Sequence, residues 1–244
     1  MVDALAPGLM AGHPVRATDV DEESVTMMEM NFDYLLLAMR IDAPKFTAWT
    51  KTRPITPNYL YLRKWLQYLQ WQMGGGGRPY LLKSPLHLSA LDSLLEVFPQ
   101  AIFVHCHRNP AEAVTSFMRL AELSRPLLYD RVDPHDIGNW VLRDLAEQIQ
   151  LNLEQRTSIG ERLPMIDVAF RDIIHDPLGV IETICARRGW NLPSDTKKAM
   201  VAFEQSHPPD RFGKFRYTLE PFGKTQKDFD IAFREYYRRF AALI

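Results

Sequence analysis

Residues 80–120 read YLLKSPLHLSALDSLLEVFPQAIFVHCHRNPAEAVTSFMRL, and their reading decides the fold. Residues 80–82 are a short apolar run that ends in Lys83-Ser84-Pro85. Leu88, Leu91, Leu94, Leu95 and Phe98 then recur at helical spacing, and Pro99 stops that helix. A second apolar run over residues 101–104 ends in His105-Cys106-His107-Arg108. Asn109 is a good N-cap and Pro110 suits the first helical position, so another helix opens there. Two apolar runs joined by one helix predict a right-handed βαβ unit with parallel strands. Ligands of such sheets bind beyond the carboxyl ends of the strands. Lys83 and Arg108 stand at those ends, and the helix after Arg108 adds free N–H groups and the positive end of its dipole. The stretch predicts an anion site.

Upstream, residues 1–20 are rich in Pro, Gly and Ala without a clear period and read as a surface arm. Residues 21–40 predict a helix with Val25, Met28, Phe32, Leu35, Leu36 and Met39 on one face and acidic residues in its first turn. Residues 43–56 read as a connector. Thr56-Pro57 opens the next helix as N-cap and first-position proline, with Leu62, Trp65, Leu66, Leu69 and Met73 as its apolar stripe. The glycine run over residues 74–77 ends it. That run is no phosphate loop, because it follows a helix rather than a strand and lacks the Lys-Ser/Thr ending.

Downstream, residues 124–136 are a polar passage and a long helix follows over about 135–157, with Trp140, Val141, Leu145, Ile149 and Leu153 along one side. Residues 164–170 (PMIDVAF) read as a buried strand. Asp176-Pro177 opens a helix that ends near Gly189, and residues 197–204 form a further short one. Residues 206–225 are a loop dense in Pro, Gly, basic and aromatic residues. The last helix, over 228–243, offers Phe229, Phe233, Tyr236, Tyr237 and Phe240 as a core face. Trp65, Trp71 and Trp140 read as core, and Arg234, Arg238 and Arg239 as a solvated face. No internal repeat or second domain is visible, so residues 1–244 read as one domain.

The composition, 46% hydrophobic and 24% charged with a formal net charge of −1, is that of a globular protein and lacks the basic bias of a nucleic-acid binder. Its two cysteines, Cys106 and Cys185, make no disulfide framework and fit a reducing cytosol, so a cytoplasmic location is expected. No run approaches the roughly 20 apolar residues of a membrane span. His105, Cys106 and His107 suggest metal ligands, but side chains alternate along a strand, so Cys106 faces away from both histidines and no metal is expected.

Three pieces together resemble the sulfotransferases that use the donor 3′-phosphoadenosine 5′-phosphosulfate (PAPS), in the bacterial branch with an LKSP.HL block. They are Leu82-Lys83-Ser84-Pro85-Leu86-His87-Leu88, then His107-Arg108-Asn109-Pro110 followed by Ser116, and then the passage from Gly213 to Gly223, GKFRYTLEPFG. The helix over 57–73 and the arm over 5–14 are also similar to the family's upstream region. The resemblance implies an α/β fold, a parallel sheet flanked by helices of the P-loop nucleotide-kinase type. One feature departs from it: family members begin with a strand and a loop similar to Pro-x-Ser-Gly-Thr-Thr, which cradles the donor's 5′-phosphosulfate. No such segment occurs here, so the expected fold lacks its first βα unit and leaves an unpaired strand edge.

The resemblance assigns roles residue by residue. Lys83 meets the sulfuryl group or its bridging oxygen, where charge builds as the donor leaves. His87 is the candidate base for the acceptor hydroxyl. Arg108 and Ser116 take the 3′-phosphate, the guanidinium offering a planar fork of donors. Without the family context, Arg108 in a salt bridge and Ser116 bonded to its own helix is the simpler reading. Gly213, Lys214 and Arg216, with Arg211 beside them, suit a flap over that phosphate. The implied reaction moves a sulfuryl group from PAPS to a hydroxyl of a small-molecule, lipid or glycan acceptor and needs no metal, with a homo-oligomer compatible. The competing expectation is a non-catalytic remnant that holds the 3′-phosphate end of the nucleotide or serves as a partner subunit. A nucleotide kinase is disfavoured by the missing Gly-Lys-Ser/Thr loop.

Overall fold

The computed structural model describes residues 39–77, 79–207 and 218–244. The expected arm over 1–20 and nearly all of the expected helix over 21–40 lie outside the described residues. In chain order come α1 (Pro44–Lys51), α2 (Thr56–Gln72), a 3-10 turn (Pro85–Ser89), α3 (Leu91–Val97), β1 (Phe103–His107) and α4 (Pro110–Ser124). Then follow α5 (Pro134–Ile159), β2 (Met165–Ala169), α6 (Phe170–His175), α7 (Pro177–Arg188), α8 (Ser194–Ser206), α9 (Gln226–Ala232) and α10 (Arg234–Phe240).

Several helix starts obey local chemistry. Asn109 accepts the Ala111 N–H at 3.0 Å, with Pro110 in the first turn of α4. Asp133 accepts the His135 N–H at 2.8 Å at the start of α5, and Asp176 caps α7 at Gly179 with a 2.9 Å bond. Each of these starts also carries a proline in its first turn, where the missing N–H costs nothing. Thr56 behaves otherwise. Its hydroxyl makes no capping bond and lies 2.8 Å from Ser93 Oγ, so it ties α2 to α3.

The α/β class holds, but the strand pairing differs from expectation. Among the described residues β1 and β2 pair in parallel, Phe103 opposite Met165 and His107 opposite Ala169. Residues 80–82 take no regular structure, so the partner of β1 comes from the run over 164–170 instead. A short apolar run is a strand only where a neighbour completes its ladder. Tyr80 instead donates its hydroxyl to the Leu66 carbonyl at 2.9 Å, fastening the segment to α2, and Leu81 is left 94% exposed.

Smaller corrections have equally local causes. The supposed connector over 43–56 contains α1, opened by Pro44. The helix expected from Leu88 becomes a 3-10 turn followed by α3. The last helix breaks at Phe233, whose φ of −114° is not helical. Trp71 is 73% exposed rather than core. It lies five residues past buried Leu66, roughly 140° around the helix from the packed face.

α5 is the hub, packing on α3, α4, α9, α10 and the 3-10 turn at Pro85–Ser89. One cluster gathers Val114 and Met118 of α4, Ile137 and Val141 of α5, and Phe229, Phe233, Tyr236 and Phe240 of the C-terminal segment. A second joins Tyr59, Leu62 and Leu66 of α2 to Leu94 and Val97 of α3, with Phe103 of β1 against it. Among the described residues no helix is long and apolar enough to cross a membrane.

Gly138 shows how tightly α5 is seated. A Cβ there would meet the Phe222 carbonyl oxygen and come within 3.0 Å of Phe222 Cβ. Gly→Ala inside a helix ordinarily stabilises by about 1 kcal/mol. Here the overpacking wins, and Gly138→Ala is expected to lower stability by about 1–3 kcal/mol. Urea midpoints of the two proteins check the sign.

Candidate active site

His87 sits in the 3-10 turn, partly buried, with Nδ1 3.1 Å from the hydroxyl of fully buried Tyr59. Burial pushes its ring down to about 4, so it is neutral at physiological pH. The ring lines a cleft between α2 and the α3–β1 edge. Lys83 stands exposed in the segment that leads into the turn.

Arg108 follows β1. Its Nε lies 3.2 Å from Glu112 Oε2, and its guanidinium stacks 4.7 Å over the Phe170 ring. Glu112 and Ser116 stand one helical turn apart on α4, whereas Arg108 lies before the Asn109 cap. The Glu112 carboxylate is a partner that an anion at Arg108 would have to displace. Among the described residues the Ser116 hydroxyl makes no hydrogen bond, whereas its neighbour Thr115 bonds back to the Ala111 carbonyl. Gly213, Lys214, Arg216 and Arg211 lie outside the described residues.

What joins these parts is a buried polar chain that the sequence did not announce. Asn152 of α5 donates to the Leu88 carbonyl at 2.6 Å, and Gln155 holds the Leu91 N–H at 2.7 Å and the Ser89 carbonyl at 3.0 Å. These bonds fix the turn that carries His87. The Asn152 carbonyl oxygen accepts Arg156 Nε at 3.1 Å. Arg156 in turn forks onto Asp167 of β2, Nη2 to Oδ1 at 2.7 Å and Nη1 to Oδ2 at 3.1 Å. Asp167 Oδ1 accepts from His107 Nε2 at 2.7 Å, and His107 Nδ1 is 2.8 Å from the Tyr236 hydroxyl. Tyr237, the next residue, donates to the Asn109 cap at 3.1 Å.

The electrostatics follow from these contacts. Asp167 is held well below the usual carboxylate range, since the His107 and Arg156 bonds outweigh the opposing cost of burial. His105 accepts from Arg156 Nη2 at 2.6 Å through Nδ1, and burial, followed by the neighbouring His107 and Arg156, pushes it down to about 3. Burial raises Tyr236, which stays protonated.

His105, His107 and Asp167 do bring three possible ligand atoms within 4.8 Å of one another. Arg156 already bonds His105 and both Asp167 oxygens, so a dication there would have to displace a guanidinium. The group fits a salt-bridged network better than a metal cage. As the alternation required, His107 is fully buried and Cys106 exposed.

Parallel strands flanked by helices, the first of them running into a capped helix start, define an α/β protein. A family model described as "Sulfotransferase family" matches residues 3–194, and the chain belongs to that family. It is 24% identical over 178 residues to omega-hydroxy-beta-dihydromenaquinone-9 sulfotransferase Stf3 of Mycobacterium bovis, and equally to that of Mycobacterium tuberculosis. The match covers 69% of this chain and 44% of the relative, so the chain spans about half the length of the curated relatives it matches. The fold is that of sulfotransferase STF9 from Mycobacterium avium, with a TM-score of 0.80 at 22% identity over 98% of this chain and 66% of the other. Sulfotransferase STF1 from Mycobacterium tuberculosis gives 0.78 at 22% identity, over 96% and 62%.

The depressed histidines make stability pH-dependent. His87 and His105 are neutral when folded and take protons near pH 6.5 when unfolded. Their contribution is complete above that value and is lost as pH falls towards about 4 and about 3 respectively. The urea midpoint should therefore drop between about pH 7 and about pH 5, and less steeply in His87→Gln. A flat midpoint in the parent chain would contradict the assignment.

Proposed function

We propose that this chain supplies the core of an enzyme that moves a sulfuryl group from PAPS to a hydroxyl. The observation that carries the reading is the polar chain from the His87 turn through Asn152, Arg156, Asp167 and His107 to the strand end before Arg108. It gives a neutral base and a phosphate grip one rigid frame, as transfer between two bound substrates requires.

On this reading the α4 N-terminus, Arg108 and Ser116 receive the donor's 3′-phosphate, Arg108 turning from Glu112 to do so. Gly213, Lys214 and Arg216 are further candidates to contact that phosphate. The acceptor oxygen attacks sulfur, and the bond from sulfur to the 5′-phosphate oxygen breaks. The acceptor's proton passes to the neutral His87 ring, while Lys83 offsets the charge that builds on the departing oxygen. The products are a sulfate ester and 3′,5′-bisphosphoadenosine. The name of the curated relatives, which specifies a hydroxylated menaquinone, supports a small-molecule or lipid alcohol as the acceptor here.

Calorimetric titration with 3′,5′-bisphosphoadenosine tests the donor site. Arg108→Ala is expected to weaken binding by roughly tenfold or more, and Glu112→Gln, which removes the competing carboxylate, to strengthen it. Equal affinity in all three proteins, or no binding in any, would defeat the assignment.

A further inference from the structure

We infer that the cleft between α2 and the α3–β1 edge seats the acceptor, and that the acceptor is an alcohol on an extended apolar chain rather than a sugar. The inference rests on the sulfuryl-transfer reading above and names the substrate class of that site.

The cleft encloses about 520 Å³, within the roughly 300–1,000 Å³ of small-molecule sites. Its walls are Leu62 and Leu66 of α2, Leu82, Val97, Phe98 and Phe103. Among the described residues that line it there is no aspartate, glutamate or lysine. Its polar groups come chiefly from Arg63, Gln67 and Gln70 on the outer part of α2 and from Gln100. A sugar would bury several hydroxyls against these walls without partners, which is unfavourable, whereas a hydrocarbon chain gains from every methylene it hides. Leu81, 94% exposed at the rim, is apolar surface that such a chain would cover.

One polar group inside the cleft suits an alcohol in particular. His87 lines it as a neutral ring whose Nδ1 is taken by Tyr59, and among the described residues no side chain bonds Nε2. That nitrogen is left to meet a ligand hydroxyl. An apolar groove with one unengaged imidazole nitrogen matches a ligand with one hydroxyl and a long hydrocarbon body.

The test uses the whole chain labelled with ¹⁵N and with ¹³C at Leu and Val methyl groups. Titration with 1-octanol should shift the methyls of Leu62, Leu66, Leu82, Leu94 and Val97 saturably, and trehalose should leave them unmoved. Gln70→Trp, which places a large ring in the cleft from a partly exposed position, should weaken octanol binding by roughly tenfold or more. Octanol shifts that never saturate or scatter over other methyls would overturn the inference, as would equal shifts with trehalose. Bisphosphoadenosine added to the same sample reads the donor site separately, through the amides of Arg108 to Ser116. If the nucleotide binds and octanol does not, the cleft assignment alone fails. If octanol binds in the cleft and the nucleotide does not, the alcohol site stands and the donor reading fails.

Discussion

The fork between Arg156 and Asp167 is the constraint on which the rest depends. Arg156 is only 5% exposed on its side chain, and Asp167 32%. Ions withdrawn this far from water are tolerable only with partners on nearly every polar atom. Arg156 meets that demand through Asn152, Asp167 and His105, with the Phe240 ring 5.1 Å from its guanidinium. Because those partners belong to α5, β2, β1 and α10, satisfying one buried cation aligns four elements at once. The His87 turn hangs from the same face of α5 through Asn152 and Gln155. The strand end before Arg108 hangs from Asp167 through His107.

This arrangement explains how the two described strands are held in place. Two parallel strands alone have little independent stability. Here the apolar clusters on either side of α5 supply the burial, and the polar chain supplies the register. Hydrophobic contact is indifferent to a small slide of one element on another, whereas a bidentate guanidinium–carboxylate bond is not. The geometry at Arg108 shows a different balance. Its partner Glu112 is exposed, in the first turn of the helix that follows, and such an ion pair is worth little in water.

Much of the frame was legible from residue patterns. Asn109-Pro110 and Asp176-Pro177 each announced a helix start that the structure keeps, because capping is a contest among neighbours in sequence. The strand around Asp167 was legible from its apolar run. What was not legible depends on distant partners. Whether residues 80–82 make a strand is decided by what lies beside them, and whether Trp71 is core by which face of α2 meets α3. The polar chain left one trace, a charged residue in the middle of PMIDVAF, a strand otherwise built to be buried. An unexplained carboxylate there calls for a buried cation. Arg156 could have been sought on the long helix one turn after Asn152, interrupting the stripe that Ile149 and Leu153 begin.

A double-mutant cycle on Arg156→Met and Asp167→Asn tests the central claim most directly. Asp167→Asn leaves the buried Arg156 without its counterion and should destabilise the chain by about 3–5 kcal/mol, whereas Arg156→Met leaves a partly exposed Asp167 still bonded to His107 and should cost less. The double variant should fall short of the sum by about 0.5–3 kcal/mol. Strictly additive losses would mean that the two groups do not support one another, and the buried fork could not be what aligns the His87 turn with the Arg108 strand end.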